Sequence, residues 1–358
     1  MKKLVINGLT LSTQSSLTGV QRVCREIILR LDELLEHEPD LQIEYAYMSG
    51  AENALIRLEE LKRITPVAIK SKNLRLAKLF TLPKYIKKQK ALGVCIGTEM
   101  LMSKNHVSCI HDIRPAIYKH YDSTAFRWHY RVILWIEKHF ARKYVTVSDY
   151  QKDAIIKQFR LKSANSIETI YNGWEHLNDV TPDESVLGKN EILKKGEFFY
   201  ALGSLAPHKN FEWIIEVAKR NPDKIFAIAG GKNLKNWGDN IETDALSNLI
   251  FLGYVSDAEN KALMQACRAF LHPSKYEGFG IPPLEALACG APIIISNATC
   301  LPEVYEDCAH YFDPDDYEVD LDKLLSEPVG DPTKILQKCS WERAAAQWMD
   351  LLKCEASK

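Results

Sequence analysis

Apolar and polar positions along the first half of the chain follow two periods, one typical of short strands and one of amphipathic helices. Residues 4–9 and 41–47 form short apolar or alternating runs, which predict strands. Between them, residues 19–35 carry apolar side chains at helical spacing, which predicts a helix with one buried face. By the same criteria we predict strands over 93–97, 107–110, 144–147 and 167–171, and a long aromatic-rich helix over 126–142.

The alternation starts again after a polar stretch at residues 175–195, which we interpret as a linker between two domains. Strands are predicted over 198–202, 225–229, 249–252, 270–272 and 292–296, and helices over 210–220, 256–268, 283–289 and from 340 onwards. Alternating strands and helices build parallel sheets that are covered on both faces. The predicted fold is therefore α/β, with one Rossmann-like domain over residues 1–178 and a second over residues 190–339.

Composition agrees with this division and excludes several classes of protein. A chain of 358 residues is longer than a single core usually supports, and its net charge of −1 gives no indication of nucleic-acid binding. No apolar run approaches the ~20 residues that cross a bilayer, and the N-terminus is typical of a first strand rather than a signal peptide. The nine cysteines include no Cys-x-x-Cys pair, which argues against a zinc site or disulfide framework and favours the cytoplasm.

Charge is unevenly distributed, and one stretch stands out. Residues 61–90 contain no acidic residue and have apolar side chains such as Phe80 and Tyr85 between their cations. The basic residues in this stretch are Lys62, Arg63, Lys70, Lys72, Arg75, Lys78, Lys84, Lys87, Lys88 and Lys90. This mixture favours a surface that touches anionic lipid headgroups. The alternative is a solvated basic face that acids elsewhere in the protein offset.

The densest chemical signal is the run YEGFGIPPLEALACG at residues 276–290, which directly follows a predicted strand. Gly278 and Gly280 allow backbone to approach a ligand closely, and the two prolines suit the first turn of a helix. The amides around Phe279 and Ile281 therefore lie at a helix N-terminus, which attracts anions. Ligands of doubly wound sheets bind beyond the carboxyl ends of strands, where this loop is placed.

Two carboxylates, Glu277 and Glu285, flank this predicted anion site. Carboxylates repel phosphates, so we expect them to accept hydrogen bonds from hydroxyl groups on either side of it. Seven residues separate them, and the whole run resembles the E-x7-E signature of glycosyltransferase family 4. The resemblance implies that Glu277 binds hydroxyls of a donor sugar and that Glu285 binds the ribose of its nucleotide. The alternative is a capped helix with two solvated acids.

A second motif, ALGSLAPHKNF at residues 201–211, spans a predicted strand-to-helix turn. Lys209 provides a cation where a leaving diphosphate gathers charge. The family pattern has an arginine after the first glycine, where this chain has Ser204, and Arg-Lys after the proline, where it has His208 and Lys209. Lys209 then carries more of the diphosphate binding. The alternative is an ordinary loop with a solvated lysine.

The first half offers two further features that resemble the family. His111 and Asp112 follow a predicted strand and resemble a His-Asp pair whose histidine lies beside the sugar and the transferred centre. A lone histidine with a structural role is the alternative. The loop at residues 16–22 resembles the family's glycine loop, which faces the diphosphate, with Thr18 as a helix N-cap and Gly19 leaving room for the ligand.

Three further stretches complete the resemblance. Tyr254 and Val255 lie in a segment that resembles the lining of the nucleotide base, which backbone contacts. Asn172 and Gly173 resemble a turn near the hinge, and we interpret them as structural. The helix from Ser340 resembles a final helix that crosses back to the first domain.

The resemblance implies a GT-B fold, in which two domains face a cleft and the helix at 340–358 returns to the first domain. The first domain would bind a saccharide acceptor, and the second a GDP-, UDP- or dTDP-linked hexose, such as mannose, or deoxyhexose. Transfer would retain the anomeric configuration and need no metal cofactor, since Lys209 and helix dipoles replace the cation. We interpret Asp313 and Asp315 as loop residues rather than a metal-binding Asp-x-Asp.

The cytoplasmic profile and the basic stretch at residues 61–90 favour a lipid-linked acceptor in surface polysaccharide assembly, of the O-antigen or capsule type. The protein would then be cytoplasmic and peripheral on the inner face of the membrane. A nucleotide-sugar epimerase of GT-B architecture and a non-catalytic subunit that binds sugar nucleotides are the alternatives. A NAD-dependent oxidoreductase is disfavoured because neither half contains G-x-G-x-x-G.

Overall fold

The computed structural model describes residues 2–14, 17–51, 55–161, 163–230 and 246–358. Ser16, in the predicted glycine loop, lies outside these residues. The chain divides into two compact units: Met1–Asn172 together with Ser340–Lys358, and Gly173–Cys339.

The strands are β1 Lys2–Asn7, β2 Leu41–Met48, β3 Thr65–Ile69, β4 Leu92–Cys95, β5 His106–Cys109, β6 Lys143–Thr146, β7 Ile167–Thr169, β8 Phe198–Leu202, β9 Ile225–Ala229, β10 Leu249–Gly253, β11 Ala269–His272, β12 Ile293–Ser296 and β13 His310–Phe312. The helices are α1 Gly19–Leu34, α2 Leu74–Leu76, α3 Leu82–Gln89, α4 Arg114–Ile117, α5 Thr124–Phe140, α6 Asp149–Phe159, α7 Ser185–Gly188, α8 Phe211–Arg220, α9 Asp257–Ala266, α10 Ile281–Ala288, α11 Leu301–Tyr305, α12 Leu321–Ser326, α13 Thr333–Lys338 and α14 Trp341–Ala356.

The first unit is built on a parallel sheet of seven strands in the order β3-β2-β1-β4-β5-β6-β7. Its central strands β1, β4 and β5 are buried almost throughout because helices cover both faces of the sheet. Helix α14 packs against α1, so the end of the chain completes the unit in which the chain begins. The guanidinium of Arg142 donates to the Glu355 carboxylate at 2.9 Å, which fixes α14 beside the sheet. The predicted return of the final helix is therefore confirmed.

The second unit has a parallel sheet of six strands in the order β10-β9-β8-β11-β12-β13. Large aromatic side chains fill its core, and Trp213 stacks on Phe312 with ring centroids 4.1 Å apart. The carboxyl ends of β10, β9, β8 and β11 lie side by side along one edge of this sheet. Loops that follow these four strands are therefore neighbours, however far apart they lie in sequence.

The division between the units differs from the prediction. The first unit ends at Asn172, before the predicted boundary at residue 178, and the stretch predicted as a linker belongs to the second unit. The physical reason is that this stretch is hydrogen-bonded to α9. The Lys261 ammonium on α9 donates to the carbonyls of Leu177 at 2.8 Å and Val180 at 2.9 Å. The backbone of Asp183 likewise donates to Ala258 at 3.0 Å.

Candidate functional site

Two basic side chains converge on Glu277 in the second unit. The Lys209 ammonium lies 2.6 Å from Glu277 Oε1, and the Nε2 of His272 lies 2.9 Å from the same oxygen. His272 ends β11, Lys209 follows β8, and all three side chains are largely buried. The structure therefore brings together two of the predicted catalytic residues and adds a histidine that the sequence did not reveal.

The charge state of this cluster follows from its contacts. Burial by itself disfavours a charged carboxyl group, but Lys209 and His272 outweigh it and hold the pKa of Glu277 well below its ordinary value. Burial lowers the pKa of His272, so the imidazole is neutral near pH 7 and donates its Nε2–H to the carboxylate. Glu277 is thus an ionised acceptor that two donors hold in a fixed position.

Asn210 explains how Lys209 reaches a residue so distant in sequence. It has a left-handed backbone, with φ of 55°, and ends the short turn Pro207–Lys209 that follows β8. Its side-chain amide donates to the carbonyls of Pro273 at 3.1 Å and Pro314 at 2.9 Å. The turn after β8 is therefore fastened to the loops after β11 and β13, and Lys209 is carried towards Glu277.

The loop that contains Gly278 and Gly280 leads into α10, as the sequence predicts. Gly280 has φ of 88°, and a Cβ placed on it would lie 2.8 Å from Leu301 Cδ2, so any larger residue is strained there. The Tyr305 hydroxyl donates to the Gly280 carbonyl. The side chain of Phe279 is buried, so this predicted site residue faces a ligand only through its backbone. Ile281 begins α10, and Pro282 and Pro283 follow it in the first turn, where a missing N–H leaves no helical hydrogen bond unmade.

Glu285, the second predicted carboxylate, is held by His176. Nε2 of His176 lies 2.9 Å from Glu285 Oε1, and both side chains are buried. His176 lies in the stretch that the sequence indicated as a linker, so nothing in the pattern of residues connected it with α10. A ribose hydroxyl at Glu285 would meet a carboxylate whose position His176 sets.

The remaining donor-side predictions lie along the same edge of the sheet. Ser204 follows β8 and is exposed, while Tyr254, after β10, is 78% exposed and Val255 is buried. The Gly230 amide donates to the Gly253 carbonyl at 2.7 Å, which places the ends of β9 and β10 together. A ligand at this edge would meet the Tyr254 side chain and the backbone at Val255.

In the first unit, His111 follows β5 and is buried. Its Nε2 donates to the Ile96 carbonyl at 2.7 Å, and its backbone amide donates to Thr98 Oγ1 at 3.1 Å. Burial lowers its pKa to about 4, so the ring is neutral near pH 7. With the proton on Nε2, Nδ1 is the ring nitrogen that remains a hydrogen-bond acceptor.

Asp112, the other residue of the predicted His-Asp pair, makes bonds of a structural kind. Its carboxylate accepts from the Arg114 amide at 3.0 Å, and its carbonyl accepts from the Tyr130 hydroxyl at 2.5 Å. These bonds define the start of α4 and fix α5 to it. They place Asp112 in support of the backbone that carries His111.

Gly19 opens α1, as the sequence predicts, and Thr18 is its N-cap. The Gln21 side chain accepts from the Thr18 amide at 2.6 Å and closes the first turn. A Cβ built on Gly19 would meet no atom of the described residues within 4 Å. Packing against the described residues therefore does not require a glycine at this position.

Sequence reasoning missed a buried polar cluster near His111. The Asn7 side chain, at the end of β1, donates to Glu99 Oε2 at 3.0 Å, and the Lys78 ammonium lies 3.2 Å from the same oxygen. The loop that carries Glu99 also contains Ile96 and Thr98, the partners of His111. An asparagine at the end of a strand was the only signal that could have indicated this cluster.

Within the ranges that the structure describes, no group of three or more His, Cys, Asp or Glu side chains is arranged to hold a metal ion. Among the helices described, none combines the length and the apolar character that crossing a bilayer requires.

Most of the second unit is similar in sequence to known glycosyltransferases. Residues 183–340 match the model of a family described as Glycosyl transferases group 1. The chain is 28% identical over 235 residues to O-antigen chain mannosyltransferase B of Escherichia coli, covering 60% of this chain and 61% of the relative. It is 31% identical over 222 residues to the O-antigen chain mannosyltransferase RfbU of Salmonella typhimurium, covering 60% and 58%. The chain thus spans about three fifths of the length of these relatives.

Solved structures match nearly the whole chain. A glycosyltransferase from Rickettsia africae superposes with a TM-score of 0.69 at 14% identity, covering 99% of this chain and 98% of that one. HepE of Anabaena, in complex with UDP-glucose, superposes with a TM-score of 0.64 at 18% identity, covering 99% and 95%. At such identities the likeness shows the fold alone, and it confirms the predicted α/β fold with the two Rossmann-like domains of the GT-B type.

Proposed function

We propose that this protein is a glycosyltransferase whose second unit binds a nucleotide-sugar and whose first unit binds a saccharide acceptor. The observation that carries the proposal is the cluster of Lys209, His272 and Glu277 beside the glycine loop before α10. It offers an ionised acceptor for sugar hydroxyls, a cation and a helix N-terminus along one sheet edge. The match of residues 183–340 to group 1 glycosyltransferases supports it.

The charges of the cluster suit departure of a nucleoside diphosphate. Negative charge grows on the leaving diphosphate as the bond to the sugar breaks, and fixed donors that face it lower the barrier. Lys209 and the amides at the start of α10 are such donors. Glu277 accepts hydrogen bonds from sugar hydroxyls, and Glu285, held by His176, accepts them from the ribose.

The donor that we propose is GDP-mannose, and the acceptor is a lipid-linked saccharide of the O-antigen or capsule type. Two relatives are named O-antigen chain mannosyltransferases, which supports mannose as the sugar and an O-antigen saccharide as the acceptor. GDP as the carrier and the lipid link of the acceptor rest on the sequence alone. UDP- and dTDP-linked hexoses or deoxyhexoses are the donors to be tested beside it.

Two finer features belong to the same proposal. Transfer retains the anomeric configuration, with the leaving phosphate taking the acceptor proton, and it proceeds without a metal because Lys209 and the α10 dipole carry the charge. NMR of the linkage formed from an α-linked donor tests the first, since a β-linked product would contradict retention. Transfer in excess EDTA tests the second, since loss of turnover that magnesium or manganese restores would contradict metal independence.

Binding is tested by thermal unfolding with GDP, UDP, dTDP and ADP. A nucleotide at 100 times its Kd stabilises the folded protein by about 2.7 kcal/mol. We expect the GDP effect to be lost in Glu285→Gln and kept in the control Glu318→Gln, an exposed glutamate of the same unit. No shift with any nucleotide would contradict the proposal.

Products separate the proposal from its alternatives. Incubation with GDP-mannose and a lipid-linked saccharide should release GDP and lengthen the saccharide. An epimerase would instead return an altered sugar nucleotide without GDP release. A non-catalytic subunit would bind the nucleotide and leave both substrates unchanged.

We further propose a cytoplasmic location, peripheral on the inner face of the membrane. The basic stretch at residues 61–90 divides in the folded protein. Arg63 pairs with Glu36 and Lys78 with Glu99, whereas the other eight basic residues of the stretch form no ion pair among the described residues. Half of these unpaired cations, Lys84, Lys87, Lys88 and Lys90, lie together on α3 and its end, and we propose this segment as the part that meets the membrane.

A further inference from the structure

Helix α5 presents a row of large apolar side chains to solvent. Trp128 is 63% exposed, Val132 47% and Trp135 58%. Their spacing of four and then three residues places them on one face of the helix. Tryptophan is highly buried on average, so two exposed indoles in one row indicate a surface that a partner covers.

The charges around this row have one sign. The exposed face of α5 also carries Arg131 and Lys138, and no exposed residue of the helix is acidic. The acidic residue of α5, Glu137, is fully buried and lies 3.0 Å from Nε2 of His106. A partner for this face must therefore combine an apolar layer with negative charge.

A basic groove lies beside the end of α5. Lys84, Lys87 and Lys90 of α3 and its C-terminus line a groove of about 700 Å³ together with Lys104 and with Phe140, the last residue of α5. None of these lysines forms an ion pair among the described residues. Just before α3, Phe80 is 61% exposed and repeats the combination of an aromatic ring with cations.

We propose that α5 and α3 form a docking surface for an anionic lipid bilayer. The indoles of Trp128 and Trp135 lie at headgroup depth with Val132 between them, and the lysines of the groove meet headgroup phosphates. A protein groove would supply an apolar surface without a continuous sheet of negative charge, and nucleic acid would supply charge without an apolar layer. An anionic bilayer supplies both over an area that covers two helices.

Helix α5 adds an apolar membrane contact that lies outside the basic stretch at residues 61–90. Only the role of this contact rests on the proposed function: it would bring the protein to a lipid-linked acceptor. The docking surface contains none of the residues assigned to the donor site.

The test is sedimentation of the full chain with vesicles of phosphatidylcholine alone or with phosphatidylglycerol, at low and high salt. We expect binding to the anionic vesicles only, weakening as salt rises. Trp128→Ala and Trp135→Ala should each lower the partition coefficient about tenfold, in line with the cost of leaving a large apolar side chain in water. Lys84→Gln and Lys87→Gln should each lower it roughly fivefold.

The matched control replaces Ile192 and Val329 by alanine, since both are exposed apolar residues of the second unit. The control should bind vesicles as the wild type does. Indole fluorescence gives a second readout, because insertion of Trp128 and Trp135 should shift emission to the blue with anionic vesicles and protect it from acrylamide.

The proposal would be overturned by no binding to anionic vesicles at low salt, or by equal binding to neutral vesicles. A double variant that combines Trp128→Ala with Trp135→Ala would also overturn it if this variant bound vesicles as the wild type does, or if it dissociated a dimer that the wild type forms. Thermal stabilisation by GDP is measured on the same variants and should not change. Loss of vesicle binding with an intact GDP effect, or the reverse, therefore separates failure of the docking surface from failure of the proposed function.

Discussion

At the scale of single residues, the candidate site depends on charged side chains that lie close together and are largely buried. Glu277 keeps its charge because Lys209 and His272 both contact Oε1. Removing one of these two donors leaves the buried carboxylate less well compensated. The free energy of unfolding should then fall by more than it does when a surface ion pair is lost.

Lys209→Met tests this arrangement. We expect the turnover number of glycosyl transfer to fall about 10²- to 10³-fold, because a donor to the leaving diphosphate is lost. The free energy of unfolding should fall by about 3 kcal/mol, since Glu277 is left buried beside a neutral histidine. The measurements are steady-state kinetics and urea unfolding.

Lys275→Met is the control for the Lys209 experiment. Lys275 lies in the neighbouring loop, and its carboxylate partner, Asp315 at 2.5 Å, is exposed. Removing its charge should cost less than about 1 kcal/mol and leave turnover near that of the wild type. Equal effects of the two substitutions would contradict a special role for Lys209.

His111 gives a prediction about pH. Its pKa in the folded protein is about 4, below the ~6.5 of an unstructured histidine. The unfolded chain therefore takes up this proton first, so stability is fully present above about pH 6.5 and is lost as the pH falls towards 4. Between pH 7 and pH 5 the loss should be about 2 kcal/mol.

Urea unfolding of the wild type, His111→Gln and His120→Gln at several pH values measures that loss. His111→Gln should lose about 2 kcal/mol less than the wild type between pH 7 and pH 5, because glutamine does not titrate. His120 is exposed, so His120→Gln should follow the wild type. Identical slopes for all three proteins would show that His111 titrates normally.

At the scale of elements, the turn before α10 decides where the helix amides point. Gly280 and Gly290 both have left-handed backbones, with φ of 88° and 83°. Only Gly280 is also crowded: a Cβ there would lie 2.8 Å from Leu301 Cδ2, whereas one on Gly290 meets no described atom within 4 Å. Comparing alanine substitutions at these two glycines therefore separates the effect of backbone strain on stability from the effect of crowding.

Gly290→Ala should therefore lower the free energy of unfolding by about 1 to 2 kcal/mol, the cost of a left-handed alanine. Gly280→Ala should lower it by a further 1 to 3 kcal/mol or so, because Leu301 must also move. It should in addition weaken GDP binding, which Gly290→Ala should not. Urea unfolding and thermal shift with GDP measure the two effects, and equal losses of stability would contradict the crowding.

At the scale of the whole molecule, the first unit is closed by the last helix of the chain. Trp348 on α14 is buried, and α14 packs against α1. A change near residue 350 therefore acts on a unit that begins at the N-terminus. This arrangement couples the two ends of the chain in one core.

Trp348→Ala should lower the free energy of unfolding of the first unit by about 3 to 5 kcal/mol, the usual cost of removing a large buried side chain. Trp128→Ala is the control, since this tryptophan is exposed and its removal should change stability by less than about 0.5 kcal/mol. Hydrogen exchange should show the loss of protection in α1 as well as α14. Loss confined to α14 would contradict a shared core.

The sequence by itself determined most of the elements, because buried apolar runs and helical spacing are local signals. The strands over Phe198–Leu202 and Ile225–Ala229 lie where the pattern predicts them. The pattern did not predict β3, a half-exposed edge strand that contains Pro66. It also missed α2, which is only three residues long, and α3, whose three lysines obscure the helical period. Local signals weaken where an element has little buried surface.

The sequence also indicated which loops to propose as the site, since glycines, prolines and carboxylates that follow a strand are typical of a ligand-binding loop. It identified Lys209, Glu277 and Glu285 one by one. Only the tertiary structure decided their partners: His272 at Glu277 and His176 at Glu285. Those contacts depend on the order of strands in the sheet and on long-range hydrogen bonds such as those of Asn210, which no local pattern encodes.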